Sequence, residues 1–234
     1  MKNISFQRIV DIISDAFSIF DFSFIVSGGF LLILISGVLW RFNRLSFLNG
    51  LNIIYTIPVI IILIYLMGLM AWSIGKPIRE SLIGCPLKKS FWKYPHEKRD
   101  EDFEEVIKSL GVNLTTYKNK LNCKEADNKL LYSIMWSELS SSNSSNVKER
   151  ISICNRYWVM QAVFEGLVTD FIVCIIVAIL LISCKKIEWT TFIFAEVTSF
   201  VCFKASVHRA HYYAKSQIQE IVADYIVFCN TKDK

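Results

Sequence analysis

The sequence predicts an all-α integral membrane protein, with four transmembrane helices and a small helical insert between the second and third. Three observations predict it. The stretch Ile53–Ile74, IIYTIPVIIILIYLMGLMAWSI, carries no charge. As a helix it would span about 33 Å at 1.5 Å per residue, enough for a hydrocarbon core of roughly 30 Å. Three other stretches are similarly apolar, at 22–40, 166–184 and 187–207, and most of the chain's charge is gathered between residues 75 and 161. The 234 residues are 53% hydrophobic, with a mean hydropathy of +0.39. That modest excess over soluble domains fits several spans joined to one polar segment.

In chain order, residues 1–21 place Ile4, Ile9, Ile12, Ile13, Phe17 and Phe20 at near-helical spacing among Lys2, Arg8, Asp11 and Asp15. This reads as an amphipathic helix at a membrane surface or on the protein's own polar part, and not as a cleavable signal. The first span, 22–40, holds Gly28, Gly29, Ser36 and Gly37, small residues that let another helix approach closely, and ends at the interfacial aromatic Trp40. A short polar loop, Arg41–Asn52, leads to the second span, 53–74, with Pro58 near its start. Residues 75–161 form the insert. Within it, Asp100–Gly111 reads as a helix with acids in its first turn and glycine as its stop, and Lys124–Leu139 as an amphipathic helix with Leu130, Leu131, Ile134, Met135 and Trp136 on its apolar face. Ser140–Asn146, SSSNSSN, reads as a linker, and helix resumes at Val147 with Val147, Ile151, Cys154, Trp158 and Ala162 on one face. The third span, 166–184, carries Asp170. Lys185 and Lys186 make a tight turn, and the fourth span, 187–207, contains Glu196 and continues as one helix to Phe228.

Four spans put both termini on the side of the insert. Near the spans that side has thirteen cations: Lys2, Arg8, Lys76, Arg79, Lys88, Lys89, Lys93, Lys148, Arg150, Arg156, Lys204, Arg209 and Lys215. The two opposite turns have four, Arg41, Arg44, Lys185 and Lys186. The positive-inside rule therefore places both termini and residues 75–161 in the cytoplasm. The net charge of +5 is too mild to indicate nucleic acid, and the seven cysteines include no C-x-x-C pair, so neither a disulfide framework nor a zinc site is read. Nucleotide-binding, hydrolase and metalloprotease motifs are absent, and the expectation is a protein that is not an enzyme and uses no cofactor.

Glu196 is the first candidate for function. It lies about 13 Å into the fourth span at the helical rise, where a charge is costly and must face helices or water. With Thr191, Thr198 and Ser199 it makes a partly polar span, suited to a pore lining or to hydrogen bonds between helices. Glu165 and Asp170 near the inner end of the third span, and Lys204, His208 and Arg209 near that of the fourth, form a second candidate, a charge cluster that locks helices or gates a mouth. Lys88, Lys89, Lys93, Lys98 and Arg99, interleaved with Phe91, Trp92 and Tyr94, form a basic run suited to anionic headgroups. His208 and His211 share a helix face but lack further ligands, so no metal site is assigned.

The stretches GKPIRESLIGCPLKKSF after the second span, ERISICNRYWVMQAVF before the third and HRAHYYAKSQIQEIV after the fourth give a layout that resembles small bacterial four-pass membrane proteins of uncharacterised families. Some of those resemble the membrane effectors of phage-defence and abortive-infection systems. The resemblance implies a bacterial inner-membrane protein acting as a membrane-permeabilising or channel-like effector, gated by a cytoplasmic protein partner. Four spans leave little room for a private pore, so a homo-oligomer in the lipid bilayer is expected. A non-conducting anchor that recruits a cytoplasmic partner is the alternative.

Overall fold

The computed structural model describes residues 19–44, 53–83, 128–142 and 145–232. The described residues are helical, with no strand among them: α1 (Ile19–Arg41), α2 (Ile53–Ile83), α3 (Asn128–Ser141), α4 (Ser145–Ser183) and α5 (Trp189–Lys232). The helix expected at Asp100–Gly111, the basic run at 88–99 and most of the N-terminal amphipathic segment lie outside the described residues.

Four of the helices, α1, α2, α4 and α5, are long and apolar enough to cross a membrane. The third and fourth expected spans belong to helices much longer than a span. Helix α4 starts at Ser145 and runs unbroken to Ser183, and α5 runs from Trp189 to Lys232. Nothing in α4 breaks a helix where the polar segment gives way to the apolar one, so composition changes and backbone conformation does not. Helix α2 likewise holds both Pro58 and Pro77 in its interior.

The ends of α1 and α4 share one construction. Asn43 (φ 54°) and Lys185 (φ 55°) adopt the left-handed conformation. Asn43 N–H donates to Trp40 and Arg44 N–H to Leu39; Lys185 N–H donates to Ile182 and Lys186 N–H to Leu181. These are Schellman caps, which satisfy the last carbonyls of each helix. The expected tight turn at Lys185–Lys186 is thus the cap of α4, and α5 begins three residues beyond Lys186.

The chain divides into two compact units. The first comprises residues 1–79 and 162–210. Here α1 and α2 pack antiparallel and very closely. A Cβ on Gly28 would run into the Ile64 carbonyl, and one on Gly68 into the Phe24 carbonyl. Phe24 also meets Tyr65 and Trp72 edge-on, at 5.6 and 5.8 Å between ring centroids. Of the small residues expected to admit a neighbour in α1, Gly28 does so; Gly29 and Gly37 have open space beside them and Ser36 is exposed. Helix α2 packs antiparallel on α4, where the Thr169 hydroxyl donates to the Ala71 carbonyl at 2.7 Å. Phe30 of α1 meets Phe171 of α4 at 5.5 Å. The outward faces are apolar: Ile57, Val59, Ile62 and Met70 of α2 and Ile193, Phe194, Val197 and Val201 of α5 are all exposed. An exterior this rich in apolar side chains over a partly polar interior inverts the usual arrangement in water.

The second unit comprises residues 80–161 and 211–234. Its core is Leu131, Met135 and Leu139 of α3, Cys154 of α4, and Ile218, Ile221, Val222, Tyr225 and Cys229 of α5. The three α3 residues recur every four positions, so one narrow stripe enters the core, with Tyr132 and Trp136 against its edge. On α4, Val147 and Ile151 pack beside Cys154 as the periodicity implies, whereas Trp158 is 40% exposed. Arg150 donates to Asp224 at 2.6 Å, and that carboxylate raises the guanidinium's already high pKa further.

Candidate functional site

The buried polar groups of the first unit gather around α4. Glu165 stands where α2 passes closest: a Cβ on Gly75 would run into the Glu165 carbonyl, so only glycine allows the approach. Across that contact Arg79 reaches Oε1 of Glu165 with both Nε (2.9 Å) and Nη2 (2.8 Å), and the indole N–H of Trp72 donates to Oε2 at 2.8 Å. The side chains of Arg79 and Glu165 are 9% and 1% exposed. Lys76 lies over the same indole, 5.6 Å from the ring centroid. Trp72, Gly75, Lys76 and Arg79 follow one another at helical spacing, which is how one face of α2 delivers all four. The result is a locked junction: a buried carboxylate with a partner on each oxygen.

Asp170 sits five residues further along α4. Ser27 of α1 donates to its Oδ2 at 2.8 Å, and the side chain is fully buried. Gly166, one turn earlier, lies against Ser27; a Cβ there would meet the serine's Cβ and Oγ at 2.8 Å. Oδ1 of Asp170 has no hydrogen-bond partner among the described residues. A second buried carboxylate oxygen in the same condition is Oε1 of Glu196 on α5. Leaving such an atom unpaired costs about 1–3 kcal/mol. Both carboxyl groups therefore have an oxygen free to accept a further donor.

The sequence candidates on α5 divide between two faces. Glu196 is partly buried and Ser199, one turn on, is buried, within hydrogen-bonding reach of Cys174 on α4. Thr191 and Thr198 are exposed, on the face that also carries Phe194 and Val201. In the inner charge cluster, Glu165 is paired with Arg79 of α2 and Asp170 with Ser27 of α1, while Lys204, His208 and Arg209 are exposed. Trp72, Arg79 and Ser27 do not stand out as site residues in the sequence, where Arg79 counts only as a topology charge. The signal that points to Arg79 is its position just beyond one apolar run, matched to an acid just before the next.

Among the described residues no group of three or more His, Cys, Asp or Glu side chains is placed to hold a metal ion. No protein-family model, no curated protein and no solved structure matches the chain.

Proposed function

We propose that this chain is a four-pass protein of the bacterial inner membrane whose subunits assemble into a channel-like, membrane-permeabilising effector. In this reading, both termini and residues 75–161 are cytoplasmic, and a protein partner binding there gates the assembly. The membrane reading is supported by the four helices α1, α2, α4 and α5, each long and apolar enough to cross a hydrocarbon core of about 30 Å.

The observation that carries the conducting role is Glu196: an ionisable side chain inside the least apolar of the four helices, with a buried oxygen that no neighbour satisfies. Ionisable residues at such depth mark ion and proton paths. The packing supports subunit assembly. Glycine brings α2 into backbone contact with α1 and with α4, which leaves a conduit to α5 from several copies. The exposed Thr191 and Thr198 supply polar groups on the outward face of α5.

The test is expression of the full chain in bacteria, with and without its genomic neighbours, followed by a membrane-potential dye. Depolarisation that vanishes in both Glu196→Gln and Glu196→Leu supports a path through Glu196. Depolarisation that persists in both removes that residue from the path. The second reading, a non-conducting anchor, is favoured by the self-contained core formed by α3 with parts of α4 and α5. It predicts no depolarisation with partner and trigger present, and retention of a partner on the full chain in pull-downs.

A further inference from the structure

Four cations meet where α1 and α4 end. Arg41 donates from Nε to the carbonyl of Lys186 at 2.5 Å, which ties the two helix ends together. The Lys186 ammonium lies over the Phe42 ring, 5.3 Å from its centroid. The side chains of Arg44 and Lys185 make no hydrogen bond or ion pair among the described residues, and both residues are exposed. The Schellman caps fix the backbone of both turns, with Arg44 and Lys186 at equivalent positions just past the two helices. Trp40 and Trp189 flank the group and are 67% and 68% exposed.

Cations at helix C-termini usually compensate the helix dipole, about half a negative charge per helix. That accounts for about one of the four. The antiparallel packing also brings the N-termini of α2 and α5 to this end, and their opposite dipoles cancel even that share. Glu188, the acid beside α5, offsets one more. A surplus of about three positive charges remains on two short turns, on the side where the positive-inside rule expects few. Exposed tryptophans at the edge of an apolar band sit at headgroup depth, which places the surplus charge beside lipid phosphates.

We propose that this cluster binds the phosphodiester headgroup of an anionic phospholipid in the leaflet opposite the insert, with Arg41 holding the two turns in register and Arg44, Lys185 and Lys186 meeting the phosphate. The inference rests on the membrane-spanning reading, which extraction of membranes with alkaline carbonate tests separately. The experiment is native mass spectrometry of the full chain in detergent, titrated with phosphatidylglycerol or phosphatidylcholine. The wild-type chain retains phosphatidylglycerol in preference to phosphatidylcholine. The Arg44→Gln/Lys185→Gln double variant loses at least tenfold of that preference, at about fivefold per cation. The charge-preserving Arg44→Lys/Lys185→Arg variant keeps it, which separates charge from fold. Equal retention of both lipids by the wild type, or an unchanged preference in the double glutamine variant, overturns the proposal. So does competition by glycerol phosphate as effective as the lipid's own binding, because the site would then recognise a soluble phosphate. A chain that carbonate extracts from the membrane fails the membrane reading itself.

Discussion

Replacing Arg79 with methionine removes both of its bonds to Oε1 of Glu165 and leaves the Trp72 indole on Oε2, in a place where the glutamate side chain is 1% exposed. Exposed ion pairs are worth about 0–1 kcal/mol, because water takes over when one member is lost. That figure does not apply to this burial. Two charge-assisted bonds, from Nε and Nη2, disappear together, and the carboxylate is left in a medium that solvates it poorly. Removing one member of a buried pair costs about 3–5 kcal/mol. Glu165→Met takes this carboxylate from the buried guanidinium and costs a similar amount. The double variant Arg79→Met/Glu165→Met removes both desolvation penalties and loses less than either single change. Equilibrium unfolding in mixed micelles with rising dodecyl sulfate, followed by far-ultraviolet circular dichroism, measures all three. Single losses below about 1 kcal/mol, or a double loss equal to the sum of the singles, would refute a buried and coupled pair.

The helix packing and the buried thiol give two more predictions. Gly68→Val forces a side chain into the Phe24 carbonyl and abolishes accumulation of folded protein, whereas Gly29→Ala, with open space around it, changes stability by less than about 0.5 kcal/mol; both are read by size-exclusion chromatography and the same unfolding titration. Burial first, and then the charges of Asp224 and Glu220, push the Cys154 thiol up to about 12 from its ordinary value near 9. In the folded chain it stays protonated and unreactive to maleimide at pH 8, while the exposed Cys184 reacts. Because the folded value is raised, this contribution to stability is complete below about pH 9 and is lost as pH rises towards 12. Mass-mapped alkylation before and after denaturation checks the first point and unfolding at pH 8 and pH 10 the second.

The apolar helices are readable because long runs with few or no charges rarely arise except to cross a bilayer, and the turn at Lys185–Lys186 because two adjacent cations interrupt two such runs. Helix limits are harder to read. The change from polar to apolar composition near residue 161 suggests a boundary, yet α4 crosses it without a break, since no proline or capping residue interrupts the backbone there. Among small residues the pattern indicates close approach and Gly28 makes it, but only the rotation of α1 separates Gly28 from its neighbour Gly29. Glu165 and Asp170 are recognisable as acids at the edge of an apolar run. Chain order points to α5, the next helix in sequence, for their partners, which instead come from α2 and α1. Pairing across distant helices depends on which faces meet, and face selection is a tertiary property. For Glu196 the sequence indicates an acid at depth; its unsatisfied oxygen is visible only once the neighbours are placed.

The most direct test is the sidedness of the chain. In a background with the seven cysteines replaced by serine, either Cys184 is restored or Lys148→Cys is introduced, and a membrane-impermeant maleimide is applied to intact spheroplasts and to lysed membranes. Four crossings with the insert inside predict that Cys184, in the turn between α4 and α5, is labelled in intact spheroplasts, and that the position 148 thiol is labelled only after lysis. Labelling of both sites in intact spheroplasts, or of the position 148 thiol alone, would contradict that topology.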